Sequence, residues 1–267
     1  MKHHFLLWIS AVAAASGLIV SCASYDGASP ALAANSQDAA EAPNMLSLRN
    51  APVPEERPGL ATGWGKEKES SIYSRDFVRA SSKPYGTDMI YYNNPEGIKA
   101  MTRHPSKVKP MQRAAGELVE WGVKSRGRYL PTYKESWGYG RRLVEGKRNA
   151  PYEIVVKNRS KSTLEIVCSV DGLDVMDGRT ASFKKRGYLV DPGKTLTIDG
   201  FRTSHHSVAS FKFSGVADSY ANLKHGDTRN VGVIGLAVFT RKGSNPWTWM
   251  PGEVRTRNNA RAFAEAP

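Results

Sequence analysis

Between Tyr152 and Thr240 the chain breaks into short runs of β-branched and aromatic residues, separated by Asp-Gly, Asp-Pro-Gly and Ser- or Asn-rich turns. Such punctuation builds strands, and no segment there carries a convincing helical period. Tyr152–Asn158 reads as a strand, Asn158–Ser162 as a polar turn and Thr163–Val170 as the return strand of a hairpin. Within the return strand Leu164, Ile166, Cys168 and Val170 share one face by the two-residue period. Asp171-Gly172 and Asp177-Gly178 are turn pairs. Gly187–Val190 is joined through Asp191-Pro-Gly193 to Thr195–Asp199. Val208–Phe213 alternates, with Ala209, Phe211 and Phe213 inward, and Val231–Phe239 is apolar on both faces, as a central strand must be. The expected fold is therefore mainly β, an antiparallel β-sandwich over 151–243. An immunoglobulin-like topology is compatible with the strand count, although the paired cysteines and intervening Trp of an antibody-type domain are missing.

The N-terminus bears on compartment. Met1–His4 is a short basic segment, and Phe5–Val20 is an apolar run interrupted only by Ser10, Ser16 and Gly17, the form of a secretory signal over 1–21. The run ends in Leu18-Ile-Val-Ser-Cys22, which resembles the lipobox of bacterial lipoproteins. That resemblance implies lipidation of Cys22, anchorage to a membrane through its acyl chains, and a place in the bacterial cell envelope. Ala23 after the cysteine lacks the Asp of an inner-membrane retention signal, which points to the outer membrane. Cleavage after Ala31-Leu-Ala33, an ordinary small-x-small site, is the alternative. The only other cysteine, Cys168, falls on the inward face of its strand and reads as a small buried hydrophobe.

Residues 22–71 are rich in Ala, Ser, Pro, Asn and Glu and read as a flexible linker; Arg57–Gly65, which contains Trp64, is the one part with a residue suited to dock on the body, and it too is expected as coil. A mixed α/β basic region is expected over 72–150. In it Thr87–Tyr92 reads as a strand, Asn94-Pro95-Glu96 as a helix start with its cap, and Met111–Val123 as an amphipathic helix. The tail, 244–267, contains Pro246–Pro251 with Trp247 and Trp249, expected across a sheet edge, and then a mobile basic end.

Charge is concentrated before the sandwich. The chain has 38 Lys and Arg against 25 Asp and Glu, a net of +13, and the stretch Lys99–Arg148 is strongly basic. Aromatic residues interleave with it, giving the candidate binding surface Arg126, Arg128, Tyr129, Tyr133, Trp137, Tyr139, Arg141 and Arg142. In the cytoplasm that composition would suit single-stranded nucleic acid, but export removes this partner, and none is expected. The same groups suit an anionic envelope glycan or an envelope protein, with Arg forks on carboxylate or phosphate and aromatic faces on sugar rings. The alternative is that the aromatics are sheet residues and the charges keep the surface solvated.

Sites for chemistry are weak. G-x-S-x-G, P-loop, H-E-x-x-H and C-x-x-C motifs are absent, so no cofactor and no catalytic residue is assigned. Asp171, Asp174 and Asp177 lack EF-hand spacing and read as turn aspartates capping local amides, and His205-His206 reads as a solvated turn, so no metal is expected.

The order Val170–Gly178, Arg186–Gly193, Ile198–Arg202, Ala217–Tyr220 and Arg229–Gly235 resembles a group of uncharacterised exported bacterial proteins, over roughly 152–240. The resemblance implies one fold unit and no activity. Three functions follow: a non-catalytic envelope lipoprotein that binds through its basic aromatic surface, an envelope enzyme on cell-wall glycan or peptide with carboxylates such as Glu135 or Asp218 as acid and base, and a purely structural lipoprotein.

Overall fold

Burial alternates along Ser207–Ser214: Ala209, Phe211 and Phe213 are buried, while Ser210 and Lys212 between them are half-buried. The strand belongs to a protein of which a computed structural model describes residues 31–33, 39–43, 56–102, 104–135 and 140–263. In chain order the strands of the first half are β1 (Ala31–Ala33), β2 (Ala61–Glu69), β3 (Tyr73–Arg75), β4 (Gly86–Asn93), β5 (Pro105–Val108), β6 (Gln112–Ala114), β7 (Val119–Ser125), β8 (Arg128–Tyr129), β9 (Thr132–Glu135) and β10 (Arg142–Glu145). Those of the second half are β11 (Glu153–Asn158), β12 (Leu164–Val170), β13 (Leu173–Asp174), β14 (Tyr188–Val190), β15 (Thr195–Ile198), β16 (Gly200–Arg202), β17 (Ser207–Ser214) and β18 (Val233–Thr240). Three short helices complete it: α1 (Pro95–Met101), α2 (Tyr220–His225) and α3 (Pro251–Asn258).

The fold is mainly β, and its pairings are antiparallel except β1 with β3 and β4 with β10. The large sheet runs β3-β1-β14-β12-β18-β4-β10-β9-β5, with β13 beside β12. A second runs β15-β11-β7-β6 with β8 on β7, and a third β16-β17-β2. One apolar core joins them: Ile90, Ile166 and Leu236 of the large sheet belong to the same buried cluster as Trp121 and Ile154 of the second and Phe211 and Phe213 of the third. Aromatic contacts cross between sheets, Tyr92 to Phe213 at 5.4 Å and Tyr152 to Phe211 at 5.1 Å. At about 25 cal/mol per Å² of apolar surface, such rings dominate the stabilisation.

Several expectations hold. Thr87–Tyr92 lies in β4, Cys168 is buried on the inner face of β12, and α1 starts at Asn94, whose side chain accepts the Gly97 amide, with Pro95 in the first turn. Others do not. Tyr152–Asn158 and Thr163–Val170 form strands but no hairpin, since β11 pairs with β7 and β15 while β12 pairs with β14 and β18 in the other sheet. Gly187–Val190 and Thr195–Asp199 are likewise split between β14 and β15 of different sheets. The chain therefore passes between layers at turns that read as simple reversals.

No boundary falls at residue 150. β18 pairs with β4 and β11 with β7, so strands from 72–150 and 151–243 interleave in both larger sheets. Met111–Val123 is not a helix but β6, a turn and β7, because Ala115, Gly116 and Glu117 all take positive φ and reverse the chain. Tyr220–His225, expected in an all-strand stretch, is a helix capped by Ser219 and ended by Gly226 at φ 61. The linker expected over 22–71 is built into the body wherever it is described beyond a few loop residues. Ala31 and Leu32 are buried in β1 between β3 and β14, and Trp64 on β2 packs against Phe201 and Tyr220. The tail carries α3, none of whose residues is buried, where a mobile end is expected.

Candidate functional site

The basic aromatic block is divided by the fold. β7 and β8 form a two-residue hairpin in which Ser125 pairs with Arg128 and the turn is Arg126-Gly127, both at positive φ (49 and 76). That is the twist a right-handed strand pair needs, and Asn-Gly or Gly-Gly is its usual sequence. Arg126 and Arg128 are exposed there, with no carboxylate partner among the described residues, and the Lys124 ammonium lies 4.7 Å from the centre of the Tyr129 ring. Leu130 and Pro131 then lead into β9, whose exposed Lys134 and the Lys107 of its neighbour β5 add positive charge.

Tyr133, Arg141 and Arg142 are occupied otherwise. The Tyr133 hydroxyl donates to Glu145 Oε2 at 2.9 Å, and that bond to a carboxylate pushes its pKa up. Arg141 grips Glu135 through Nε and Nη2 at 3.1 and 3.0 Å and also donates to the Met101 carbonyl. Arg142, expected on the binding surface, is buried instead: it shares a face of β10 with Val144, stacks over Trp121 at 4.8 Å and pairs with Asp88 at 2.8 Å. Burial lowers its pKa. Trp137, Tyr139 and Cys22 lie outside the described residues.

The acids proposed for catalysis are each paired with an arginine. Glu135 is held by Arg141, which lowers its pKa, and Asp218 pairs with Arg148 at 2.8 Å beyond the end of β17. A general acid needs the opposite shift. Among the turn aspartates, Asp174 accepts the Met176 amide and Asp177 the Arg179 amide, local caps as expected. Asp171 is different. Its Oδ1 accepts the Tyr92 hydroxyl at 2.5 Å and the Gly232 amide at 2.9 Å, and its Oδ2 accepts the Thr62 amide at 2.7 Å. Burial raises its pKa to about 6 against these hydrogen bonds. His205 and His206 are exposed on a loop, and no group of three potential metal ligands exists among the described residues. Pro246 and Met250 are buried and Trp247 packs against Tyr85, the ring centres 4.6 Å apart, while Trp249 is 67% exposed at φ 57. No helix among the described residues is long and apolar enough to cross a membrane.

A groove with a volume of about 780 Å³ opens on the outer face of the large sheet, within the range of ligand sites. Its floor is the outward face of β4, β12 and β18, where Val167, Gly235 and Ala237 keep the centre low. One wall is the 180–183 loop and the other 229–231. Both are fixed from below. Arg79 forks onto the buried Glu165 at 2.7 and 3.0 Å and donates to the carbonyls of Phe183 and Lys185 at 2.6 and 2.5 Å. Asp171 holds the opposite wall through Gly232, and its own amide donates to the Val233 carbonyl.

The sequence reading missed this groove. The signal was present in β12 and β18, where Ser169, Gly235 and Ala237 alternate with the larger Cys168, Leu236 and Val238, but apolar residues on both faces hid it. The whole defines a β-sheet protein with a basic hairpin and a neutral surface groove. No family model, curated protein or solved structure matches the chain.

Proposed function

We propose that the chain is a non-catalytic, lipid-anchored protein of the bacterial cell envelope that holds an anionic envelope glycan against its basic hairpin Lys124–Tyr129. The observation that carries this reading is Arg126. It occupies a left-handed position at φ 49, where a long L side chain costs about 1 kcal/mol and Asn or Gly would relieve it. A cation kept at such a position, beside Arg128 and with neither paired to a carboxylate among the described residues, is placed for an external anion. The Lys124–Tyr129 stack adds an aromatic face to the same hairpin.

Anchorage through Cys22 is supported by β1. Cleavage after Ala33 would remove a buried strand from the large sheet, whereas cleavage before Cys22 keeps it. Ala31 follows Cys22 by nine residues, so a lipidated Cys22 would hold the body within about 30 Å of the bilayer.

The test is binding of the full-length protein, in detergent, to isolated anionic envelope glycan at low salt and at about 0.5 M, where screening shortens to a few ångströms. Wild type is expected to bind at low salt and release at high salt, and Arg126→Ser/Arg128→Ser to bind at least about tenfold more weakly. Equal binding by the double variant defeats the reading. A mass for Cys22 without acyl chains defeats the anchor.

A further inference from the structure

We propose that the groove on the outer face of the large sheet is a second binding site, for an uncharged saccharide. Its position on β4, β12 and β18 is independent of the basic hairpin, and the proposal stands whether or not that hairpin binds an anion.

Charge decides the first step. Of the side chains around the groove, the one carboxylate is Asp88, and it is turned to the inner face, where it accepts Trp121 Nε1 at 2.7 Å and Arg142 Nη2 at 2.8 Å. The one cation is Arg229, engaged by Asp227 at 2.9 Å. A neutral lining selects a neutral ligand, since a charged one would leave water without a counter-charge.

Hydrogen-bonding groups decide the second. The hydroxyls of Thr87, Ser169 and Thr180 and the side-chain amide of Asn230 line the groove, and none bonds to another protein group among the described residues. Asn230 is set in place by Gly172, where a Cβ would come within 2.8 Å of its side chain. Aromatic side chains line the same groove at Tyr91 and at Phe183, which is 53% exposed. Hydroxyl and amide groups beside two aromatic rings match a polyhydroxylated ring that is apolar on its flat sides.

The backbone decides against a peptide. An added strand needs a free edge, yet β12 is paired with β14 and β18, β18 with β12 and β4, and β4 with β18 and β10. Only side chains are left to recognise a ligand on this face. The Arg79–Glu165 fork and the Asp171 contacts fix both walls before anything binds, which lowers the ordering entropy of association.

The experiment is titration calorimetry of the full-length protein in detergent with the β-1,4-linked N-acetylglucosamine tetramer, cellotetraose and maltotetraose. Saturable binding of at least one is expected, unchanged between 0.05 and about 0.5 M salt because no ion pair is involved. Phe183→Ala and Asn230→Ala, both exposed and outside the core, are each expected to weaken it at least about tenfold at unchanged melting temperature. Arg126→Ser/Arg128→Ser should bind these sugars like wild type. The proposal is overturned if none of the three binds saturably, if binding is lost in salt, or if both groove variants bind as wild type does.

Discussion

The Tyr92 hydroxyl donates to the Asp171 carboxylate at 2.5 Å with both side chains fully buried, and the Thr62 hydroxyl lies 2.7 Å from those of Tyr92 and Tyr152. Thr62 belongs to β2 of the third sheet, Tyr92 to β4, and Asp171 to the turn after β12. One carboxylate thus ties two sheets and the groove wall at Gly232 together. Asp171→Asn keeps shape and tolerates the positive φ of 55, so it isolates the loss of an acceptor. An amide N–H would then face a backbone N–H. Urea unfolding is expected to show a loss of about 2 to 3 kcal/mol, and Tyr92→Phe about 1 to 2. Wild-type stability of Asp171→Asn would show that the carboxylate is not the tie.

Asp174 has fewer partners. Its Oδ1 accepts the Met176 amide, but its Oδ2 is buried with no hydrogen-bond partner among the described residues, and burial pushes its pKa from 3.8 up to about 7. Between pH 4 and 7 the folded chain therefore binds a proton that the unfolded chain has released. Stability from this group is full below pH 4 and is lost as pH rises to about 7. Asp171 acts with the same sign up to about 6. Calorimetric melting temperature should fall from pH 5 to 7.5 in wild type and fall less in Asp174→Asn, which should be at least as stable at pH 7.5. An unchanged slope in the variant would contradict this.

The groove wall rests on a buried ion pair. Glu165 has no exposure, and Arg79 reaches it while stacking over Phe239 at 3.6 Å from the ring centre. Glu165→Gln leaves that guanidinium short of charge in a dry site, a change worth about 3 kcal/mol or more. Because Arg79 also holds the carbonyls of Phe183 and Lys185, limited trypsin digestion should cut faster at Lys184, Lys185 and Arg186 in the variant. Arg79→Met/Glu165→Leu should recover much of the global stability without restoring protection of the loop. Equal protection in all three proteins would mean the loop is held by something else.

Local chemistry was legible and pairing was not. The Asn94 cap, the alternation of Val208–Phe213 and the inward Cys168 each depend on neighbours in sequence. Asn158–Ser162 does break the chain between two strands, but as a bend and not as a hairpin turn: its Asn158 side chain donates to Ser162 and to Val190 across the layers, and the strands on either side join different sheets. Which edge a strand finds is set by long-range burial, which no local pattern encodes. Met111–Val123 misled because apolar spacing satisfied a helical stripe, while Ala115-Gly-Glu117 turned the chain instead. The candidate surface failed at Arg142 for a related reason: a basic residue in a charged block reads as exposed until a half-buried carboxylate, Asp88, is found beside it.

Arg126 allows stability and binding to be separated in one substitution. At φ 49 before Gly127 at φ 76, Arg126→Asn gives the hairpin the Asn-Gly pair that its turn geometry favours. The side chain it removes is exposed and makes no ion pair among the described residues, so little packing is lost. Thermal unfolding should show a gain of about 0.5 to 1 kcal/mol. Binding to anionic envelope glycan at low salt should weaken in the same protein, because one of two adjacent guanidinium groups is gone. A variant that is both more stable and equally tight in binding would make Arg126 an accident of the turn, and would leave Arg128 and Lys124 to account for any affinity.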